Sequence, residues 1–269
     1  MKIINSINKL NKDVNFKANI GFVPTMGSLH KGHISLIESA KKKCEKVLVS
    51  IFINPSQFNK RNDYKNYPKN ILKDIKILNK LKVNYLFIPK TSDIYKNKKD
   101  MKIKILKKDK ILCAMFRKGH FEGVLGVMNQ FLKIIKAKYL FLGQKDFQQL
   151  YLIKKLIKKK YNIKVISGKT IRLKNGLAYS SRNILLKKKD LNVAGKIANK
   201  IYFFYLSLKK NFHNKKNLNN LKKDILKYKI DLEYLEIRNK FNLSKSVNKT
   251  SFKIFVAYYL NEVRLIDNF

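Results

Sequence analysis

Two histidines stand three residues apart, at positions 30 and 33, in the stretch PTMGSLHKGH. The apolar run NIGFV precedes them, and the helical pattern ISLIESAKKK follows them. Residues three apart on a helix can face the same way, and a helix amino terminus presents N–H groups and positive potential to anions. Gly27 and Gly32 let the backbone approach a ligand closely. The spacing therefore favours a phosphate site where a strand gives way to a helix.

A structural role for the same two histidines is the alternative. One imidazole would cap the helix and the other would pack in the core, and short motifs of this kind also arise by chance. A zinc site is disfavoured, because the sequence offers no third ligand at a supportive spacing. Cys44 and Cys113 lie in unrelated contexts. We expect two reduced, packed thiols rather than a disulfide or a metal site.

Two further polar clusters follow apolar runs. NPSQF comes after KVLVSIFI, and GQKDFQQL includes the end of KYLFLG. Lys145 would neutralise phosphate charge, whereas Asp146 would cap the next helix or hold a ribose hydroxyl. Gln148 and Gln149 suit recognition of a polar substrate, although both would also fit the surface of an ordinary capped helix. In an open parallel sheet, ligands bind beyond the carboxyl ends of the strands, so we expect these clusters to converge.

Two loops carry additional candidates. The stretch RLKNGLAYSSRN contains a predicted turn at Asn-Gly, then two hydroxyls and a guanidinium that could clamp a triphosphate, although Ser-Arg pairs are common in loops. The stretch FRKGHFEGV places an arginine and a histidine in a glycine-containing loop that would act as an anion contact or a lid. The residues concerned are Ser180, Ser181, Arg182, Arg117 and His120.

Strands and helices alternate through the first part of the chain. Apolar runs of strand length are separated by helical patterns, and nearly continuous apolar strands are typical of a buried parallel sheet. We therefore predict an α/β fold with helices on both faces of a parallel sheet. After about residue 170, a long helical region near 187–228 precedes two late strands that should be antiparallel. This change predicts two domains, 1–170 and a smaller α+β domain, 171–269.

The composition limits the possible partners. A net charge of +44, from 61 Lys and Arg against 17 Asp and Glu, attracts polyanions nonspecifically. The lysines are scattered, however, and the aromatic residues lie mostly inside apolar runs rather than along a basic stripe, so we expect no specific nucleic-acid partner. No uncharged apolar stretch reaches about 18 residues, which predicts no membrane span. With no apolar signal-peptide core, a cytoplasmic location is expected.

Six motifs together resemble one known family over nearly the whole chain. They are PTMGSLHKGH, SIFINPSQF, YPK, RKGHFEGV, GQKDFQQL and GLAYSSRN. Their order and approximate spacing are similar to those of the pantoate–β-alanine ligase family, and the combination is highly specific. The histidine motif alone marks the broader nucleotidyltransferase superfamily of Rossmann-like folds. The resemblance implies a Rossmann-like domain, 1–170, that binds ATP and pantoate, and a C-terminal lid domain, 171–269.

The resemblance also implies a reaction in two steps. The carboxylate of pantoate attacks the α-phosphorus of ATP to give pantoyl adenylate and diphosphate, and the amine of β-alanine then displaces AMP to give pantothenate. The protein would align the reactants and stabilise phosphate charge rather than supply a nucleophile. Mg²⁺ as cofactor, ATP as co-substrate and a homodimer formed through the N-terminal domain are further implications.

Site residues follow from the resemblance by motif position. The implied catalytic residues are His33 as proton donor, His30, Lys145, Ser180, Ser181 and Arg182. The implied ATP-binding residues are Met26, Gly27, Ser28, Leu29, His30, Lys31, Gly32, His33, Gly143, Gln144, Lys145, Asp146, Ile171, Tyr179, Ser180, Ser181 and Arg182. The implied substrate-binding residues are Gln57, Gln149, Asn54, Arg117 and His120, and Asp74 is implied to assist Mg²⁺. Lys69 and Lys118 depart from the Arg and Pro that are frequent in the family.

Two rival functions are weaker. A nucleotidyltransferase acting on a phosphorylated substrate would explain the histidine motif but not Gln57 and Gln149 together. A basic nucleic-acid-binding protein is suggested by the net charge alone.

Overall fold

The computed structural model describes residues 1–59 and 61–269 and divides them into two compact units, Met1–Thr170 and Ile171–Phe269. In the described part of the first unit, six strands form one parallel sheet in the order β1-β4-β3-β2-β5-β6. The strands are β1 (Lys2–Ile4), β2 (Ile20–Thr25), β3 (Lys46–Ile51), β4 (Tyr85–Phe87), β5 (Tyr139–Gly143) and β6 (Lys164–Gly168). The predicted parallel α/β architecture is confirmed.

Helices connect these strands. They are α1 (Ile7–Asp13), α2 (Lys31–Lys43), α3 (Arg61–Lys65), α4 (Ile71–Lys80), α5 (Thr91–Ile94), α6 (Cys113–Phe116), α7 (His120–Ile134) and α8 (Phe147–Lys160). Short 3₁₀ turns cover Pro55–Gln57, Lys98–Met101, Lys107–Asp109 and Gln144–Asp146. Nowhere in the described residues is a helix both long and apolar enough to span a membrane.

Both faces of the sheet are covered, because successive side chains of a strand point to opposite faces. On one face, Val23 belongs to a buried cluster that includes Ile37 of α2 and Leu78 of α4. On the other face, the ring of Phe22 meets Phe131 of α7 edge-on, with the ring centroids 5.6 Å apart. Burial on both sides explains why these strands read as continuous apolar runs.

The edge strand β1 is not predicted from the sequence. It is three residues long, and Ile4 is its one buried side chain. Its backbone nevertheless pairs with β4 in parallel register. So short a strand at a sheet edge carries almost no periodic signal.

The second unit is α+β, as predicted. Helices α9 (Lys188–Lys210) and α10 (Leu218–Leu226) flank a 3₁₀ stretch at Phe212–Asn217, so the predicted long helical region is interrupted. Within the described residues of this unit, three antiparallel strands form a second sheet. These strands are β7 (Asp231–Asn239), β8 (Phe252–Leu260) and β9 (Val263–Asn268).

Candidate active site

Three candidate loops lie at the same edge of the first sheet. They follow β2, β3 and β5, and the sheet places β2 between β3 and β5. From β2 the chain continues through α2 to β3 on one side, and from β5 it continues through α8 to β6 on the other side. Open α/β sheets leave a ligand-binding crevice where neighbouring strands lead in opposite directions in this way. The architecture thus gathers the polar clusters that are far apart in sequence.

The histidine pair occupies the start of α2. His30 is the N-cap residue, and its Nδ1 accepts a hydrogen bond from the Gly32 N–H at 3.1 Å. His33 Nδ1 accepts from the His30 N–H at 3.4 Å. Because both Nδ1 atoms accept, the proton of each neutral ring lies on Nε2. The predicted cap is thus made by His30. Each ring keeps its Nε2–H group as a donor, and the contact of these donors with phosphate stays a prediction.

Both imidazoles are held in the neutral form. Burial, assisted by the positive charge of Lys145, lowers the pKa of His30 to about 4. Burial also lowers the pKa of His33 well below its ordinary value, with His30 and Lys145 adding to the effect. The ring centroids lie 4.1 Å apart, too close for two charged rings. Lys145 acts on both rings because the loop after β5 lies next to the histidine loop.

The loop after β5 turns through Gln144–Asp146 before α8 begins. The predicted cap by Asp146 is wrong, because its side chain makes no capping hydrogen bond although the residue stands at the N-cap position. Its carboxylate instead lies 3.6 Å from the ammonium of Lys145. Asp146 is about half exposed, so this ion pair is weak.

Gln57 lies in the 3₁₀ turn after β3, and a network of amides orients its side chain. Asn54 Oδ1 accepts from the Ser56 N–H at 3.2 Å, and Asn54 Nδ2 donates to the Gly123 carbonyl at 3.1 Å. These two backbone partners fix the direction of the Asn54 amide. Asn54 Nδ2 also donates to Gln57 Oε1 at 3.4 Å, which leaves Gln57 Nε2 directed at the Met26 sulfur of the histidine loop.

Tyr95 is a member of this network that sequence reasoning missed. Its hydroxyl donates to Asn54 Oδ1 at 2.9 Å, and burial raises its pKa to about 12. Tyr95 lies 41 residues beyond Asn54, directly after an otherwise ordinary helix, so no local pattern could have identified it.

The absence of a side chain at Gly123 lets α7 pack against the 3₁₀ turn Pro55–Gln57. A Cβ at this position would lie 2.3 Å from the Ser56 carbonyl oxygen, so α7 can approach the 3₁₀ turn closely only without a side chain there. The contact sets the distance between α7 and the backbone that carries Gln57.

Arg117 and His120 form a chain that ends on the same turn. Arg117 donates to His120 Nε2 at 3.1 Å, and His120 Nδ1 donates to the Gln57 carbonyl at 2.6 Å. Arg117 also pairs with Asp63, with its Nη2 3.4 Å from the Asp63 carboxylate. Asp63 was missed in the sequence because it is 54 residues away. Both candidates thus lie beside Gln57, and their contact with substrate stays a prediction.

The two glutamines of α8 differ. Gln148 is buried, and its Nε2 donates to the carbonyls of Asp109 and Ile111 at 3.2 and 2.7 Å. The suggestion that Gln148 recognises substrate is therefore replaced by a structural role in anchoring the loop before α6. Gln149 is half-buried, and its role in holding pantoate stays a prediction.

The structure gives no support for a protein-built metal site. Among residues 1–59 and 61–269, no group of three or more His, Cys, Asp or Glu could hold an ion. Both carboxylate oxygens of Asp74 accept backbone N–H bonds, from Ser28 and Leu29 at 2.8 Å each. Asp74 is therefore already engaged by the backbone, and its assistance of Mg²⁺ stays a prediction through which no step is derived.

The candidates after residue 170 belong to the second unit. Ile171 accepts from the Tyr179 N–H at 2.9 Å across a turn at Gly176, whose φ is 88°. Ser180 caps the 3₁₀ turn Ser181–Leu185 by accepting from the Arg182 N–H at 3.3 Å. Local bonding thus holds Ser180, Ser181 and Arg182 together, and their contact with ATP stays a prediction.

The family assignment rests on a match along almost the full length. Residues 2–269 match the family model described as pantoate-beta-alanine ligase. The chain belongs to this family. The pantothenate synthetase of Francisella tularensis subsp. mediasiatica (strain FSC147) is 42% identical over 252 residues, covering 93% of this chain and 88% of that protein. The pantothenate synthetase of Francisella tularensis subsp. novicida (strain U112) is 42% identical over 256 residues, with the same shares covered.

Solved structures of family members agree with the fold. The pantoate-beta-alanine ligase of Francisella tularensis, complexed with beta-gamma ATP and beta-alanine, superposes with a TM-score of 0.85 at 39% identity, covering 100% of this chain and 97% of that one. The pantothenate synthetase of Thermus thermophilus superposes with a TM-score of 0.88 at 28% identity, covering 100% and 99%. The resemblance noted in the motifs is confirmed.

Proposed function

We propose that this protein condenses pantoate with β-alanine at the expense of ATP, through pantoyl adenylate, to give pantothenate, AMP and diphosphate. The observation that carries the proposal is the convergence of two neutral imidazoles, Lys145 and the amide of Gln57 at the edge where β2, β3 and β5 end. Family membership over residues 2–269 supports the same chemistry.

In the first step, a carboxylate oxygen of pantoate bonds to the α-phosphorus of ATP and diphosphate leaves. Lys145 offsets negative charge on the phosphates, and the Nε2–H group of His33 donates a hydrogen bond to a phosphate oxygen. The amide of Gln57, which Asn54 holds through its Oε1 atom, binds pantoate. In the second step, the amine of β-alanine bonds to the acyl carbon, AMP leaves and the nitrogen loses a proton.

Mg²⁺ enters this scheme as part of the substrate MgATP, because Mg²⁺ is commonly held by substrate phosphates and water. Omitting Mg²⁺ should abolish the first step. Gln149 holds pantoate in this scheme, and Ser180, Ser181 and Arg182 bind ATP. An alanine variant at each position tests its contribution.

Pantoate-dependent exchange of labelled diphosphate into ATP, measured without β-alanine, tests the proposal. Exchange that requires pantoate supports the ligase, and exchange with an unrelated phosphorylated acceptor would favour a nucleotidyltransferase. His33→Ala should lower the exchange rate by about 10²- to 10³-fold, as expected when a transition-state donor is lost. A wild-type exchange rate in this variant would overturn the role of His33.

Assembly and location complete the proposal. A homodimer formed through the first unit and a cytoplasmic location are supported by the family resemblance. Light scattering coupled to gel filtration tests the dimer, since a mass near 31.7 kDa would contradict it.

A further inference from the structure

The segment that joins β2 to α2 has an unfavourable backbone. Gly27 and Ser28 have φ values of 77° and 51°, so two consecutive residues are left-handed. Glycine adopts this conformation readily, but a serine rarely does. Thr25 supports the start of the segment, where its hydroxyl donates to the Ser50 carbonyl and accepts from the Gly27 N–H. Another interaction must hold the next two residues.

Asp74 supplies that interaction from α4. Its two carboxylate oxygens accept separately from the Ser28 and Leu29 N–H groups at 2.8 Å each, and the residue is 2% exposed. The Asp74 side chain is not needed to cap α4, because Asn70 caps this helix by accepting from the Lys73 N–H. An ionised carboxylate is the small side chain that offers two oxygen acceptors and no donor. The contact is therefore directed at the histidine segment, 45 residues away.

We propose that Asp74 is a positioning residue, whose carboxylate holds the path of residues 27–29 and thereby aims His30 and His33 at the phosphates. This inference rests on the proposed function for its kinetic consequences. It also assigns the N–H groups of Ser28 and Leu29 to the carboxylate rather than to ATP. Phosphate contacts of this loop then come from the imidazoles and the first turn of α2.

The Asp74→Asn variant tests the proposal, because the amide retains one acceptor and turns an NH₂ group towards the second backbone N–H. We expect the exchange protection of the Ser28 and Leu29 amides in the ligand-free protein to fall by about tenfold or more. With ATP as the varied substrate, kcat/KM should fall by about 10- to 100-fold, the loss of one hydrogen bond to a charged group. The KM for β-alanine should change by less than about twofold.

Asp93→Asn is the matched control. The Asp93 carboxylate accepts from the Lys90 N–H at 2.8 Å, so its replacement removes a similar bond in the same unit. This control should leave the amide protection of residues 27–29 and the KM for ATP unchanged. A loss of ATP kinetics in Asp93→Asn equal to that in Asp74→Asn would overturn the proposal.

A rescue distinguishes positioning from general stability. Glycine at position 28 adopts a positive φ without strain. The Asp74→Asn substitution should therefore lower kcat/KM much less in a Ser28→Gly protein than in the wild type. Absence of any recovery would refute the positioning role. Should Asp74→Asn fail to fold, Asp74→Glu replaces it in the same cycle.

The two proposals fail separately. If the wild-type protein shows no pantoate-dependent exchange, the proposed function is wrong, and the amide protection of the ligand-free protein still tests the contact made by Asp74. If exchange is normal but protection at residues 28 and 29 is unchanged in Asp74→Asn, the inference is wrong.

Discussion

Acid should destabilise this protein through His30. The His30 ring has a pKa of about 4 in the folded chain against an ordinary value of 6.5. Because the folded pKa is depressed, the unfolded chain binds a proton first as the pH falls, and the stability of the fold decreases between about pH 6.5 and pH 4. This difference in pKa should lower the free energy of unfolding at pH 5 by about 2 kcal/mol relative to pH 7.5. Below pH 4 the loss should reach at most about 3 kcal/mol.

Replacing His30 with asparagine isolates this effect. Asparagine is among the best N-cap residues, and its Oδ1 can accept from the Gly32 N–H as the imidazole does. The variant should therefore match the wild type near pH 7.5. Between pH 7.5 and pH 5, it should lose about 2 kcal/mol less of its free energy of unfolding.

Two measurements check the reasoning. The chain has 4 histidines, so a carbon-13 NMR titration of the imidazole rings can be assigned with single variants. Urea unfolding of the first unit, followed by amide exchange of α2, gives the stability at each pH. His213→Asn, at a histidine of the second unit, is the control. A His30 titration midpoint near 6.5, or identical pH slopes in wild type and His30→Asn, would refute the argument.

Lys145→Met should raise the pKa of His30, because the positive charge of Lys145 contributes to its depression, and should slow diphosphate exchange by about 10²- to 10³-fold; an unchanged NMR titration would contradict the electrostatic part. Gly123→Ala should lower the free energy of unfolding by about 1–3 kcal/mol and raise the KM for pantoate, since its Cβ would meet the Ser56 carbonyl at 2.3 Å. Gly143→Ala, where the nearest atom is 4.0 Å away, should keep its melting temperature, and equal losses in the two variants would count against the steric explanation. ATP binding at pH 5 should be accompanied by proton uptake at the imidazoles, because phosphate charge favours their protonation. Calorimetry in buffers of different ionisation enthalpy should show less uptake in His30→Asn than in the wild type.

The location of the site could be predicted because it depends on periodicity and on one rule of α/β folds. The apolar runs before His30, Asn54 and Lys145 read as buried strands, and polar residues after such strands gather at one sheet edge. The order of the strands was not readable from the sequence. Its outcome, with β2 between β3 and β5, is what brings the three loops into contact range.

The contacts that orient the side chains could not be predicted, since each joins residues far apart in the chain. Asp74 reaches Leu29 across 45 residues, Tyr95 reaches Asn54 across 41, and Asp63 reaches Arg117 across 54. Local propensity describes each as an ordinary helical or loop residue. Their roles depend on which helix packs beside which loop, and that information is tertiary.

The neutrality of the two imidazoles has a consequence for turnover. A lysine in place of either ring would add a second positive charge beside Lys145 in a partly buried site, where repulsion between like charges is strong. A neutral Nε2–H group directs a hydrogen bond at a phosphate oxygen without deepening the electrostatic attraction for diphosphate, the product that must leave. In a chain of net charge +44, that distinction matters, because attraction for polyanions is already large. In the proposed reaction, Lys145 would therefore supply charge and the histidines direction, and the burial that lowers the pKa of both rings would favour release of diphosphate.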